Sequence, residues 1–487
     1  MSLNLSLILP EIILFCGALL VLMLDTFLGK KFKEFFYISH FIALLVCAVS
    51  VFAIFLKFTP HELAFNNMFI STSLTSFAKA ITLVLLAMVI LLSLRFISQK
   101  PKISAEFLAL MIMATTGGMM LISANDFLVF YLGLELQALS LYLLAALNRE
   151  SPKSSEAGMK YFILGCLASG LLLFGISMIY GFSGSVNFTA LNKLYHTDTL
   201  EAYKNIPLGV MLGFVLVITA MFFKTSAAPF HMWTPDVYEG SAAISTTFFA
   251  TIAKFTTVVA FLRLFSGLII GWPGIEKIFL LVAMLSIVVG SFGAIFQKNL
   301  KRLLAYSSIG HIGFIILAMA AFSHEAFAAG VFYILIYAII SIGSFGFLTL
   351  IKTTDSDQKN DDIFAISSLS GLAKTNPVMA FSLAVLMFST AGIPPLAGFF
   401  SKFYVLIAAV NRGLLFYAIA AIILSVVSAY YYLRIVKIMY FDEPKNTVEL
   451  ECCGNAKLIV FIAALFNIIM IFFLNALFSS ITNFVNA

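Results

Sequence analysis

Charge is what this 487-residue sequence has least of. Asp, Glu, Lys and Arg together make up 11% of it, against 62% hydrophobic residues, and the mean hydropathy is +1.05. A chain so poor in charge cannot cover a water-facing surface, so a soluble enzyme is excluded and the solvent is a bilayer. Cysteine is scarce too, at five residues. Cys16, Cys47 and Cys166 fall in apolar runs, where a thiol behaves as a small hydrophobe, and Cys452 and Cys453 are neighbours in a polar loop. Their spacing suits neither a zinc nor an iron-sulfur site. The sequence also lacks a phosphate loop, a dinucleotide-type glycine turn and a long soluble domain, so nothing in it would hold a nucleotide or a redox centre. Two Trp against 52 Phe fit lipid-facing helices and carry no chemistry.

What is present is length of apolar run. Fourteen stretches are long enough to span: 5–28, 35–56, 74–94, 107–124, 127–147, 161–182, 208–230, 242–268, 275–296, 303–322, 326–351, 378–410, 414–440 and 458–484. The expected fold is therefore an all-α integral membrane protein with fourteen transmembrane helices. No basic residue precedes the first run, which reads as a retained span rather than a cleaved signal peptide.

Loop charge orients the spans. Nineteen basic residues fall on one side: Lys30, Lys31 and Lys33, a set around 95–102, another around 149–160, then Lys298, Lys301 and Arg302, and the groups at 352–374 and 434–457. Five fall on the other: Lys57, Lys193, Lys204, Lys277 and Arg412. The positive-inside rule then places both termini outside the cytoplasm, and the net charge of +6 is a topology signal that needs no nucleic acid.

Five basic residues remain inside spans: Lys79, Lys224, Lys254, Arg263 and Lys402. Lys79 and Arg263 lie near span ends, where snorkelling or a structural ion pair accounts for them. Lys224, Lys254 and Lys402 are deeper, as is Glu135 within the run VFYLGLELQALSLYLL. Ionisable groups at that depth mark ion pathways.

Two of these lysines sit where helices should break. Pro229 follows Lys224 in VITAMFFKTSAAPFHMW, and Gly392, Pro394, Pro395 and Gly398 precede Lys402 in FSTAGIPPLAGFFSKFYVL. The seventh and twelfth spans cross in opposite directions, and interrupted helices at matching positions of inverted halves point to an ion site. Freed carbonyls are expected to be unpaired and to face hydrated interior. A lysine taken out of water tends to lose its proton, whereas a nearby carboxylate makes it hold on. Moving Glu135 and Lys224 together or apart would thus load and unload the lysine. His311 lies between Lys254 and Lys402 along the sequence and suits proton passage near neutral pH; alone in a span it would more often be a packing residue.

The runs YLGLELQALSLYLLAAL, FFKTSAAPFHMWTPDVYEGS, ATIAKF, FQKNLKRLLAYSSIGHIGF and STAGIPPLAGFFSKFYVL closely resemble the antiporter-like membrane subunits of respiratory complex I, the proton-pumping NADH:quinone oxidoreductase. The resemblance covers nearly the whole chain. It points to the subunit N branch, counterpart of mitochondrial subunit 2, because larger members continue past span fourteen into a long lateral helix and this sequence ends at Ala487. One departure is SAAIS after Gly240, without the proline usual there, which leaves the start of span eight open.

The resemblance implies a proton path in which Glu135 pairs with the broken-helix lysine Lys224, Lys254 connects, His311 is a polar link and Lys402 ends the path. It implies two inverted five-helix repeats, each with one broken helix: 1–104 holding spans one to three, 105–270 the first repeat, 271–440 the second, and 441–487 a loop and span fourteen. It also implies NAD, FMN, iron-sulfur clusters and quinone in partner subunits, no cofactor or metal in this chain, and neighbouring antiporter-like subunits that Glu135 could influence. An Mrp-type or stand-alone cation/proton antiporter shares these motifs, and a structural scaffold whose ion pairs only orient helices is the third reading.

Overall fold

A computed structural model describes residues 4–29, 35–56, 61–99, 103–148, 150–195, 206–268, 274–352, 361–444, 448–451 and 453–486. Several loop residues used for orientation, among them Lys30, Lys31, Lys33, Lys57, Lys204 and Lys359, lie outside the described residues.

The apolar runs become helices because a backbone without water must satisfy its own hydrogen bonds. In order they are α1 (Leu9–Leu24), α2 (Phe35–Leu56), α3 (Ser73–Gln99), α4 (Ser104–Ser123), α5 (Phe127–Ala145) and α6 (Pro152–Ser183). A short α7 (Phe188–Tyr195) precedes α8 (Leu208–Thr225) and α9 (Trp233–Gly240). The eighth span is α10 (Ala243–Phe248) and α11 (Lys254–Leu268), joined by a π-helical turn at Phe249–Ala253. Then come α12 (Ile275–Ile295), α13 (Leu300–Ala320), α14 (His324–Leu348), α15 (Pro377–Ala391), α16 (Ala397–Asn411), α17 (Leu415–Phe441), α18 (Gly454–Ile469) and α19 (Leu474–Asn486).

Starts are capped where the sequence offers a cap. Asp126 accepts from Leu128 N at 2.7 Å ahead of α5, and Asn299 accepts from Lys301 N at 2.9 Å ahead of α13. Among the described residues, 13 helices are long and apolar enough to cross a membrane. At the expected twelfth span stand α15 and α16 instead, each too short to cross alone. The expectation of an all-α chain needs a small amendment: His61–Ala64 and Phe69–Thr72 form a two-stranded antiparallel hairpin, turned through Phe65, Asn66 and Asn67 at positive φ. These residues join spans two and three, where the apolar run lapses and a short polar turn can close.

Burial divides the helices. The span through α10 and α11 and the helix α14 are 94% buried over their most apolar windows, whereas those of α1 and α17 are 33% buried. The first group forms the interior and the second the rim. Two glycine contacts let neighbouring helices approach closely. A Cβ at Gly117 would sit 2.6 Å from Gly133 O between α4 and α5, and one at Gly290 would sit 2.4 Å from Gly310 N between α12 and α13.

Loops expected to share the lysine-rich side do meet one another. Ile351 bridges Leu450, Asn299 bridges Ala365, and Arg95 pairs with the buried Glu451. The opposite side has its own contacts: Phe69 bridges Ala124, and Arg412 donates to Phe322 O at 2.7 Å.

Candidate functional site

Both expected breaks are present. The chain leaves helix after Thr225 and re-enters at Trp233; later it leaves after Ala391 and re-enters at Ala397. Ser226 and Gly392 take left-handed conformations at the two exits, and a cis peptide precedes Pro229 and Pro395. The freed carbonyls differ from expectation, since protein donors reach them. Trp233 Nε1 donates to Phe223 O at 3.1 Å, and Lys402 Nζ donates to Thr390 O and Ala391 O at 3.1 and 2.9 Å. The reason is steric: the helix re-enters so close to its exit that side chains of the second half cover the open end of the first.

Lys224 occupies the last turn of α8, and Glu135 sits midway along α5. Their nearest charged atoms are 4.0 Å apart. Lys224 Nζ donates to Tyr142 OH and to Ser169 Oγ, both at 3.2 Å, and Ser169 Oγ donates to Glu135 Oε1. The structure thus brings the two groups close together, with Ser169 between them.

Beyond it the groups continue inward. A cavity of about 20 Å3, room for one water, is lined by Lys224, Gln137, Tyr238, Lys254 and Thr257 among others. Gln137 holds two neighbours of Lys254 in place, donating to Thr256 Oγ1 at 2.8 Å and accepting from Thr257 Oγ1 at 3.1 Å. Lys254 starts α11 directly after the π turn and donates to Ser308 Oγ at 2.7 Å. His311 lies one turn along α13 from Ser308, with Nδ1 at 2.7 Å from Tyr333 OH and Nε2 at 3.2 Å from Tyr432 OH. Lys402 adds Ser425 Oγ at 2.9 Å to its two carbonyls. Lys254, His311 and Lys402 are 3%, 8% and 7% exposed, so each is removed from bulk water and held by hydroxyls or carbonyls.

The two basic residues near span ends make structural contacts. Lys79 pairs with Glu11 at 2.6 Å, both buried. Arg263 donates to Ile122 O and to Ala124 O, capping the carbonyl end of α4. Neither joins the series from Glu135 to Lys402.

A second charged group holds the far half of the first break. Asp236 on α9 accepts from Lys160 and from Arg302, each at 2.8 Å, and Glu239 accepts from Arg302 at 2.9 Å. Burial alone would raise the Asp236 carboxyl, but the bonds from Lys160 and Arg302 hold it below its ordinary range. Lys301, counted with the loop charges, is buried: its ammonium donates to Ser241 O at 2.8 Å and lies 4.2 Å from the centre of the Phe364 ring. Span eight starts at Ala243, directly after this contact.

A family profile described as NADH:quinone oxidoreductase/Mrp antiporter, TM, matches residues 124–428, a stretch that takes in all five expected site residues. The chain belongs to this family. NADH-quinone oxidoreductase subunit N of Paramagnetospirillum magneticum is 42% identical over 92% of this chain and 90% of its own length. Subunit N of Rhodospirillum rubrum is 41% identical over 97% and 95%. Among solved structures, a chain of respiratory complex I from Thermus thermophilus is 27% identical and superposes with a TM-score of 0.80 over 96% of this chain and 98% of that one. A chain of the Mrp complex from Dietzia, at 18% identity and a TM-score of 0.82, covers 99% of this chain and 97% of its own length and shares the fold alone.

The residues missed in the sequence are mostly hydroxyls: Ser169, Tyr142, Ser308, Tyr333, Tyr432 and Ser425. Serine and tyrosine recur throughout the spans, and spacing alone does not say which of them meet a lysine. Glu11 was missed as well, although a carboxylate in the first turn of a span is a visible signal.

Proposed function

We propose that this chain is a proton-translocating membrane subunit of NADH:quinone oxidoreductase, the part its subunit N relatives are named for, driven by redox chemistry in other subunits. The observation that carries the reading is a row of titratable groups inside the spans: Glu135 and Lys224 share Ser169, a water-sized cavity touches both Lys224 and Lys254, Lys254 donates to Ser308 one helical turn from His311, and Lys402 at the second break is held by two carbonyls and Ser425. Each lysine is a proton carrier whose load depends on its neighbours. Glu135 favours the loaded state of Lys224; Lys254 on α11 and His311 on α13 pass the proton on; Lys402 delivers it at the second break.

The chain itself carries out no redox step, and NAD, FMN, iron-sulfur clusters and quinone belong to its partners. The spans four to eight and nine to thirteen form inverted repeats, a reading supported by the two breaks and by the matching glycine contacts at the first helix pair of each. Both termini face the periplasm, on the count of basic loop residues.

Gentle purification tests the assignment: the chain is expected to come out with iron-sulfur and flavin subunits. Recovery with other antiporter-like chains and no redox subunit, together with cation/proton exchange in vesicles, would replace it with an Mrp-type antiporter. Orientation is read separately by placing single cysteines at Lys298 and Arg302. Membrane-impermeant reagent applied to intact cells should leave them unlabelled.

A further inference from the structure

Serines inside the spans of this protein generally spend their proton on the carbonyl one turn back. Ser50 donates to Val46 O, Ser140 to Leu136 O, Ser183 to Ile179 O and Ser382 to Val378 O. Ser169 on α6 does not. Its hydroxyl donates to Glu135 Oε1 and accepts from Lys224 Nζ at 3.2 Å, while Glu135 and Lys224 themselves stand 4.0 Å apart. That distance is beyond a direct hydrogen bond, so a proton moving between the two has the hydroxyl as its shortest bonded route.

The surroundings keep the route in register. Ser169 is 6% exposed. The ammonium has a second acceptor: Tyr142 OH accepts from Lys224 at 3.2 Å, and its ring lies edge-on to Tyr161 at 4.8 Å. Gly165, one turn before Ser169, leaves room for that phenol: a Cβ there would be 2.0 Å from Tyr142 OH. One helix thus supplies both the bridging hydroxyl and the space that seats the second acceptor.

We propose that Ser169 is the proton relay between Lys224 and Glu135, a role that rests on the proton-path reading above. An N–H proton of the Lys224 ammonium passes to Ser169 Oγ as the serine's own proton passes to Glu135 Oε1. The products are a neutral amine, an unchanged hydroxyl and a neutral carboxylic acid, and the reverse shift restores the charged pair. The pair can discharge in place, without the two side chains having to touch.

The test uses the assembled complex in vesicles, comparing Ser169→Thr with Ser169→Val, which have nearly the same shape and differ in the hydroxyl. The threonine variant should pump near the wild-type rate. The valine variant should fall by about tenfold, a conservative figure beside the roughly 10²–10⁴ that a positioned proton-transfer group contributes. Equal pumping by the two variants, whether both are normal or both impaired, overturns the relay. Glu135→Gln is measured in parallel: if it pumps normally, the underlying path is wrong, whereas impaired Glu135→Gln beside normal Ser169→Val removes the relay alone. Adding Ser169→Val to Glu135→Gln should cost nothing further, and a multiplied loss would contradict a shared route.

Discussion

The two broken helices make a comparison within one molecule. At the first, the lysine ends the leading half: Lys224 is in the final turn of α8, and it faces a carboxylate through a hydroxyl. At the second, the lysine belongs to the trailing half: Lys402 lies in α16 and reaches back across the break to Thr390 O and Ala391 O. Among the described residues it has no carboxylate in ion-pair range. The same interruption therefore serves two purposes. At Lys224 the break leaves a lysine in the company of a countercharge that can switch its load. At Lys402 the break itself provides the partners, dipoles of fixed position that accept from an ammonium but cannot take its proton. Under the proposed proton path, the first would suit loading and the second holding and release.

The sharpest way to break this comparison is to delete each carrier in turn. Lys402→Met keeps the bulk and removes the titratable group, so pumping by the assembled complex should fall by about 10²-fold or more. Lys224→Ala should cost as much, and a Lys402→Met variant that pumps normally would leave the second break without a function in transport. Pro395→Ala asks whether the break or the lysine matters more. Alanine can restore a backbone donor and let the helix close in part, yet Lys402 keeps its charge, so pumping should decline far less than in Lys402→Met. Equal losses in these two variants would make the fixed carbonyls, rather than the lysine, the working part.

The smallest effect is expected at Asp236, which ties the trailing half of the first break to α6 and α13. The residue is a third exposed, so Asp236→Asn should cost below about 1 kcal/mol of thermal stability and leave pumping nearly intact. Its sign with pH follows from the lowered carboxyl. The contribution is fully present above the ordinary range near about pH 4 and is lost as pH falls through the lower folded value. Acid titration of stability should accordingly separate wild type from Asp236→Asn at neutral pH and bring them together at strongly acid pH.

Much of this arrangement was legible in the sequence because bilayers leave little choice. A run of apolar residues must be helical, proline and glycine mark where it cannot be, and a lysine deep in a span calls for an explanation. That logic located both breaks and singled out the titratable residues around them. It did not find the links between them. Ser169, Ser308 and Tyr432 come from three different helices, and their contacts depend on how those helices pack. Lys301 misled in the other direction, since a basic residue beside a loop reads as exposed until a neighbouring carbonyl and the Phe364 ring are seen to cover it. The unpaired carbonyls expected at the breaks failed for a related reason: sequence shows where a helix stops but not which side chain returns to close the gap.

The central claim is that Glu135 acts by governing the load of Lys224, and a double-mutant cycle on pumping by the assembled complex tests it most directly. Glu135→Gln removes the countercharge, and Lys224→Ala removes the carrier. With assembly verified for each variant and electron transfer measured separately, the double variant should be little worse than the worse single one, as for two residues acting as one unit. If the two single losses instead multiply in the double variant, the residues work independently and this account of Glu135 is wrong.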